Sequence, residues 1–203
     1  MRDRGDVTGI WPSDQRPVRY GQDDITYACG MAWLDGVCET VEDWGCGPAY
    51  AKRFLKDSCY VGIDGSPCEG VDIITDLRDC VGDADGIYMR HVLEHNWEWR
   101  QILANAVLSF RKRMVLVIFT PFAGHTHPIE ASLAYPVPDI SFAKADLMDY
   151  VGPYLDHEES LTTGTMYGTE HVFYLARVDP VHPHAGKPEA EAEGTAGGPS
   201  SAN

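Results

Sequence analysis

The stretch Val41-Glu42-Asp43-Trp44-Gly45-Cys46-Gly47-Pro48-Ala49 reads as a strand end, a glycine turn and a helix start. Gly45 and Gly47 permit positive φ and let backbone approach a ligand with no side chain in the way. A helix N-terminus behind them would offer free N–H groups to a carboxylate or phosphate. Alone, such a segment is equally a plain tight turn. Asp64 adds a second, linked feature: it ends the next strand, Cys59–Asp64, and lies 19 residues after Gly45, where an acid can bind a ribose diol. Asp76 follows a third strand over 71–75 on the same sheet edge. It is either a ligand-facing acid or the cap of the Leu77-Arg78-Asp79 turn.

Outward from this segment the chain alternates. Asp23 and Asp24 can cap a helix over Ile25–Leu34, with Ile25, Cys29, Ala32 and Trp33 near one face. Strand Thr40–Trp44 leads into a predicted helix over 49–56, then come the strands Cys59–Asp64, 71–75 and 86–90. Asn96 is placed to cap a helix running to Phe110, whose stripe is Trp99, Ile102, Leu103, Ala106, Val107 and Phe110. The run over 113–120 is continuously apolar, as a central parallel strand covered on both faces must be. The segment 121–142 holds four prolines and two histidines and reads as an ordered functional loop. A short helix beginning at Ser141 or Asp146 and ending at Tyr150 follows, then antiparallel strands over 157–163 and 170–178 around a Gly-Thr-Met-Tyr-Gly turn. The expected fold is α/β: a Rossmann-like, doubly wound, mostly parallel sheet with a C-terminal antiparallel hairpin.

The expected organisation is an arm over 1–22, one domain over 23–178 and a disordered acidic tail over 179–203. The 203 residues carry a formal charge of −15, of which the tail holds −3 (one Lys against four acids). This balance disfavours nucleic acid and anionic membrane as partners. No apolar leader follows Met1, and the run from Met114 to Phe119 is too short to span a bilayer, so a cytoplasmic protein is expected. Six cysteines fall in the first 80 residues at irregular spacing, the pattern of free thiols rather than a zinc or disulfide framework.

The motifs resemble those of the class I S-adenosylmethionine-dependent methyltransferases of the small single-domain type. Asp43-Trp44-Gly45-Cys46-Gly47-Pro48-Ala49 is similar to the first family motif, with Ala49 where a third glycine often stands. Val61-Gly62-Ile63-Asp64 resembles the second, Asp72-Ile73-Ile74-Thr75-Asp76-Leu77 the third, and Arg90-His91-Val92-Leu93-Glu94-His95 the segment after the fourth strand. The resemblance implies S-adenosylmethionine as cofactor, held by Asp43, Gly45, Cys46, Gly47, Asp64, Gly65, Asp76, Leu77, Arg90 and His91. A nicotinamide or flavin site would place a third glycine at Tyr50, and its diphosphate would meet Asp43. Between Asp57 and Asp85 there are eight acids and one base, Arg78. Such a mouth either favours a cationic cofactor over its uncharged-sulfur product or is simply a solvated surface.

Methyl transfer needs alignment and a dry site, and a base only where the acceptor must lose a proton early. His91, at the carboxyl edge of the fourth strand, is one candidate; shaping the strand-to-helix turn is its structural alternative. His125, in the 121–142 loop, is a second. His125, His127 and Glu130 form only a weak metal pattern, and no metal is expected. Glu94 and His95 are placed to cap or orient the following helix. In similar enzymes the segment before the first strand folds over the cofactor, which makes Tyr20 and Tyr27 possible contacts. No D/N-P-P-Y/F tetrad follows the fourth strand, and the Pro67-Cys68 pair follows the second. Nucleic-acid base methylation is therefore disfavoured. The expected acceptor is an O or N atom of a small molecule, reached in a pocket bounded by His91, Phe122 and the 121–142 loop. A protein or peptide acceptor, and a cofactor-binding relative without catalysis, are the alternatives.

Overall fold

The first β-strand is Thr40–Trp44, as its sequence predicts, and six further strands assemble beside it. The computed structural model describes residues 23–134 and 137–177. The expected arm, the acidic tail and Tyr20 lie outside the described residues. In chain order the elements are α1 (Ile25–Leu34), β1 (Thr40–Trp44), β2 (Cys59–Asp64), β3 (Ile73–Ile74), β4 (Ala84–Arg90), α2 (Trp99–Ser109) and β5 (Phe110–Ile118). Then come β6 (His127–Pro128), β7 (Ile140–Ser141), α3 (Lys144–Val151), β8 (Leu155–Thr162) and β9 (Thr169–Ala176).

The main sheet has the order β3-β2-β1-β4-β5-β9-β8. The first five strands run parallel, and β9 runs antiparallel to both β5 and β8. This is the Rossmann-like α/β sheet with its C-terminal antiparallel hairpin. The topology decides where a site can form. The carboxyl ends of β1, β2, β4 and β5 share one edge, and β9, running the other way, begins at that edge with Thr169, Glu170 and His171.

Both faces are covered. On one, Tyr27, Met31 and Leu34 of α1 pack against Val41, Tyr88, Val115, Val117, Val172 and Tyr174. On the other, the α2 stripe and Leu147 and Val151 of α3 pack against Trp44, Ile87, Met89, Met114, Leu116, Ile118, Phe173 and Leu175. Successive β5 side chains alternate between these two cores, which explains the continuous apolar run.

Several local expectations are corrected. The predicted helix over 49–56 is a single 3-10 turn, Tyr50–Phe54, in which only Ala51 is buried. One buried side chain cannot offset the ordering cost of a longer helix. The third strand shrinks to Ile73–Ile74, an exposed edge paired with β2 alone. Asn96 does not cap α2, whose N-cap position is Glu98; the Asn96 side chain donates instead to the Val92 carbonyl at 2.6 Å. The strand expected at 113–120 begins earlier, at Phe110, directly where α2 ends.

The 121–142 segment is ordered. β6 and β7 pair in a two-residue antiparallel ladder, and a 3-10 turn, Glu130–Ala134, lies between them. Thr120 Oγ1 donates to the Ile140 carbonyl at 2.7 Å, and Phe142 is fully buried against Trp99. All six cysteines are free thiols. Among the described residues no helix is long and apolar enough to cross a membrane.

Candidate functional site

The glycine turn sits at the carboxyl end of β1 and takes three left-handed residues in alternation: Gly45 at φ 76°, Gly47 at φ 49° and Ala49 at φ 54°. The Gly45 and Cys46 N–H groups both donate to the Ile63 carbonyl, at 2.7 and 3.1 Å, which ties the turn to the end of β2. A Cβ on Gly45 would lie 2.4 Å from Val92 Cγ2. Glycine is required there for space as well as for φ.

Asp64 lies across this turn. Its Oδ2 accepts the Gly47 N–H at 2.9 Å and its Oδ1 accepts the Ser66 N–H at 2.8 Å. Burial raises its pKa, against the backbone N–H groups of Gly47, Ser66 and Gly65 that favour the charge. The helix expected behind the turn is absent, and the Gly47 donor belongs to the loop. Asp43 is buried, with the Tyr60 hydroxyl donating to it at 2.7 Å. Burial, reinforced by the nearby Asp64 charge, pushes its pKa up to about 7. The Cys68 and Cys46 thiols both donate to the Gly47 carbonyl, at 2.9 and 3.4 Å.

At the end of β4, Arg90 turns under α1. Its Nη2 donates to Glu170 Oε1 at 2.5 Å, its Nε to Thr26 Oγ1 at 3.0 Å and its Nη1 to the Tyr27 hydroxyl at 2.9 Å. The guanidinium also lies 4.1 Å from the Tyr27 ring centroid. Thr26 Oγ1 donates in turn to Glu170 Oε2 at 2.5 Å. His91 follows in the left-handed region, φ 57°, with Nε2 only 2.5 Å from Glu170 Oε1. Burial pushes its pKa down to about 4, with Arg90 adding to that shift and Glu170 opposing it.

The His91 ring lies 4.5 Å from Phe119, and Phe119 lies 5.6 Å from Tyr167, centroid to centroid. Beyond Phe119 is a cavity of about 280 Å³ lined by Pro121, Phe122, Tyr167, Thr169 and His171. The expected pocket wall at Phe122 is thus present, while His91 is separated from the cavity by the Phe119 ring.

No family model and no curated protein matches this sequence. Solved structures do. The magnesium protoporphyrin IX methyltransferase of Synechocystis PCC 6803, with S-adenosylhomocysteine bound, aligns at TM-score 0.57 and 17% identity over 76% of this chain and 83% of its own. The 1,6-didemethyltoxoflavin-N1-methyltransferase of Burkholderia thailandensis aligns at TM-score 0.56 and 15% identity over 76% and 77%. Mitomycin 7-O-methyltransferase aligns at TM-score 0.51 and 15% identity over 76% of this chain and 54% of its own.

The chain has the class I methyltransferase fold.

In this methyltransferase-fold chain the structure brings together Asp43, the Gly45–Gly47 turn, Asp64, Gly65 and the His91 backbone at one edge. The other predicted residues are placed differently. The Asp76 carboxylate accepts the Arg78 N–H at 2.8 Å and pairs with its guanidinium at 2.5 Å, the turn-capping alternative. Leu77 is buried in the core beside α2. The Arg90 side chain is committed to Glu170, Thr26 and Tyr27 beneath α1. His125 is exposed on the loop, with its ring 4.7 Å from His127. Among the described residues no three His, Cys, Asp or Glu side chains converge as a metal site.

Glu94 and His95 do not cap α2. Glu94 is fully buried, accepts the Phe119 N–H at 2.7 Å and is pushed up to about 7 by burial. His95 Nδ1 lies 3.0 Å from the Pro138 carbonyl and 3.3 Å from Asp139 Oδ1. These two side chains pin the end of β5 and the returning arm of the loop. Sequence reasoning missed Glu170, Tyr167 and His171. Glu170 did carry a signal, since it is an acid in register with the buried Val172 and Tyr174 of β9.

Proposed function

We propose that this protein transfers the methyl group of S-adenosylmethionine to an O or N atom of a small-molecule acceptor. The observation that carries the reading is the buried Asp43 carboxyl beside a Gly45–Gly47 turn braced on Asp64. A buried acid that accepts the Tyr60 hydroxyl fits a cation, and a turn that excludes a Cβ at Gly45 fits close backbone approach. In this reading Asp43 faces the methionine amino group. Asp64 takes the ribose hydroxyls on the lone pairs that Gly47 and Ser66 leave open. Gly45, Cys46, Gly47 and Gly65 supply backbone contacts, and the backbone at Asp76 and Leu77 borders the adenine. Arg90 and His91 close the edge beside β4. The bound cofactor supplies an activated methyl on a sulfonium. The protein supplies orientation and a water-poor site. His91 and His125 are the proton-handling candidates of the sequence; the Phe119 ring stands between His91 and the cavity, and His125 is exposed on the loop. The methyltransferases of this fold named above act on small molecules, and one small acceptor would fill the 280 Å³ cavity.

Calorimetry with S-adenosylmethionine tests the cofactor assignment. Asp64→Ala removes charge-assisted bonds each of about 1.5–3 kcal/mol and is expected to weaken binding at least about tenfold. Asp64→Asn, which keeps one acceptor oxygen, should fall between. Unchanged affinity in Asp64→Ala would refute the assignment.

The Asp43 shift makes a separate prediction. An ammonium group needs Asp43 ionised, and in the free protein its pKa is about 7. Below pH 7 binding must expel a proton, so affinity should rise roughly tenfold per pH unit up to about 7. It should fall again above about 8 as the cofactor's own amine loses its proton. Titrations at pH 6 in buffers of different ionisation enthalpy would show proton release. Equal affinity at pH 6 and pH 7.5, with no proton released, would exclude Asp43 as the amine partner.

A further inference from the structure

The cavity beyond Phe119 is walled by rings. Phe122 and His171 stack face to face at 4.2 Å with an interplanar angle of 25°. Tyr167 forms a second wall, and its hydroxyl is committed to Asp139 Oδ2 at 3.0 Å, so it contributes its ring. Pro121 and Thr169 complete the lining. His171 Nδ1 lies 2.8 Å from Ser160 Oγ of β8. All of these residues lie at the sheet edge that carries Asp43 and Asp64, one aromatic ring away from His91.

Resting on the methyltransferase reading, we propose that this cavity takes a planar aromatic or heteroaromatic acceptor, and that His171 Nε2 removes the proton from its hydroxyl or ring N–H. Flat apolar walls favour flat ligands, through offset stacking that adds to the burial of apolar area. The volume is that of one or two fused rings. An Nδ1–H donated to Ser160 leaves the lone pair on Nε2, in the manner by which a hydrogen bond at one ring nitrogen selects the tautomer at the other. The groups around the imidazole agree with a neutral ring. Burial lowers its pKa, Lys144 of α3 lowers it further, and Glu158 of β8 opposes them while paired to that same Lys144. In the transfer the acceptor O–H proton passes to Nε2, the oxygen pair forms the new C–O bond, the S–C pair stays on sulfur, and the imidazolium returns its proton to solvent.

The experiment uses the full chain with and without S-adenosylhomocysteine. The probes are 2-naphthol and its saturated counterpart decahydro-2-naphthol. The expected result is that 2-naphthol binds at least about tenfold more tightly, and that Phe122→Ala abolishes the preference while S-adenosylhomocysteine affinity stays within threefold. Equal affinities, or no saturable binding of 2-naphthol, would overturn the aromatic class. Loss of S-adenosylhomocysteine binding in the wild type would instead indict the cofactor reading, since the probe preference is also read without it. Ring-nitrogen NMR of His171 decides the proton role: a neutral Nδ1–H form at pH 7.5 that changes in Ser160→Ala supports it, and an Nε2–H or doubly protonated ring overturns it. In methyl transfer to 2-naphthol, His171→Asn should lower the rate at least about a hundredfold, and the fall should persist at saturating 2-naphthol. An unchanged rate would remove His171 from the chemistry.

Discussion

Glu170→Ala is expected to cost this protein about 3–5 kcal/mol of stability. Glu170 has no exposed surface, receives Arg90 and Thr26 at 2.5 Å each, and stands 2.5 Å from His91 Nε2. Its removal leaves the Arg90 guanidinium, itself 8% exposed, without its carboxylate in a site that water does not reach. The cost is that of breaking a buried pair from one side, not the net worth of the ion pair. Against a total stability of about 5–15 kcal/mol for a domain, the loss is a large fraction. Three elements converge on this carboxylate, so the damage should extend to the α1 packing and to the left-handed His91. Glu170→Gln preserves volume and one acceptor and should lose less. The double substitution Arg90→Met with Glu170→Leu removes both charges and should recover much of the loss, because apolar replacement of a buried pair is often neutral. Denaturant unfolding of the four proteins measures this. A loss under about 1 kcal/mol in Glu170→Ala would show that the network contributes little.

Gly45→Ala carries the second large effect, on both stability and cofactor affinity. At φ 76° an alanine pays about 1–2 kcal/mol for the left-handed backbone. Its methyl would also sit 2.4 Å from Val92 Cγ2, and relieving that overlap costs about 1–3 kcal/mol more. Val92 follows His91 directly, so the relief must displace either the glycine turn or the segment after β4. Both border the proposed cofactor site. The expected outcome is a Tm drop of at least about 4 °C together with at least about tenfold weaker S-adenosylhomocysteine binding. Adding Val92→Ala removes the overlap but leaves the φ cost, so it should restore only part of each. An unchanged Tm in Gly45→Ala would contradict the close approach.

Strands β1 and β2 and helix α1 were legible to the residue because their signals are local. The residues 49–56 misled for a local reason as well. Their composition tolerates a helix, but Ala49 is left-handed and only Ala51 finds a core to enter. Asp43, Gly45, Gly47 and Asp64 could be read as a set because turn chemistry and a strand-to-strand spacing place them together. Asp76 was ambiguous because capping and ligand binding use the same side chain, and its contact with Arg78 shows the first of these roles.

The sequence by itself determined the parallel core, the glycine turn and the acid that braces it, since each follows from periodicity, φ preference or spacing within a few tens of residues. The tertiary structure alone decided the rest. Arg90 and Glu170 meet across 80 residues because β9 enters the sheet antiparallel beside β5, one strand from β4. The same reversal sets His171 against Phe122 and opens the ring-walled cavity. Nothing in either segment encodes that meeting locally. It exists only once the order of strands in the sheet is set, because hydrogen-bonded register, not distance along the chain, brings those side chains to one edge.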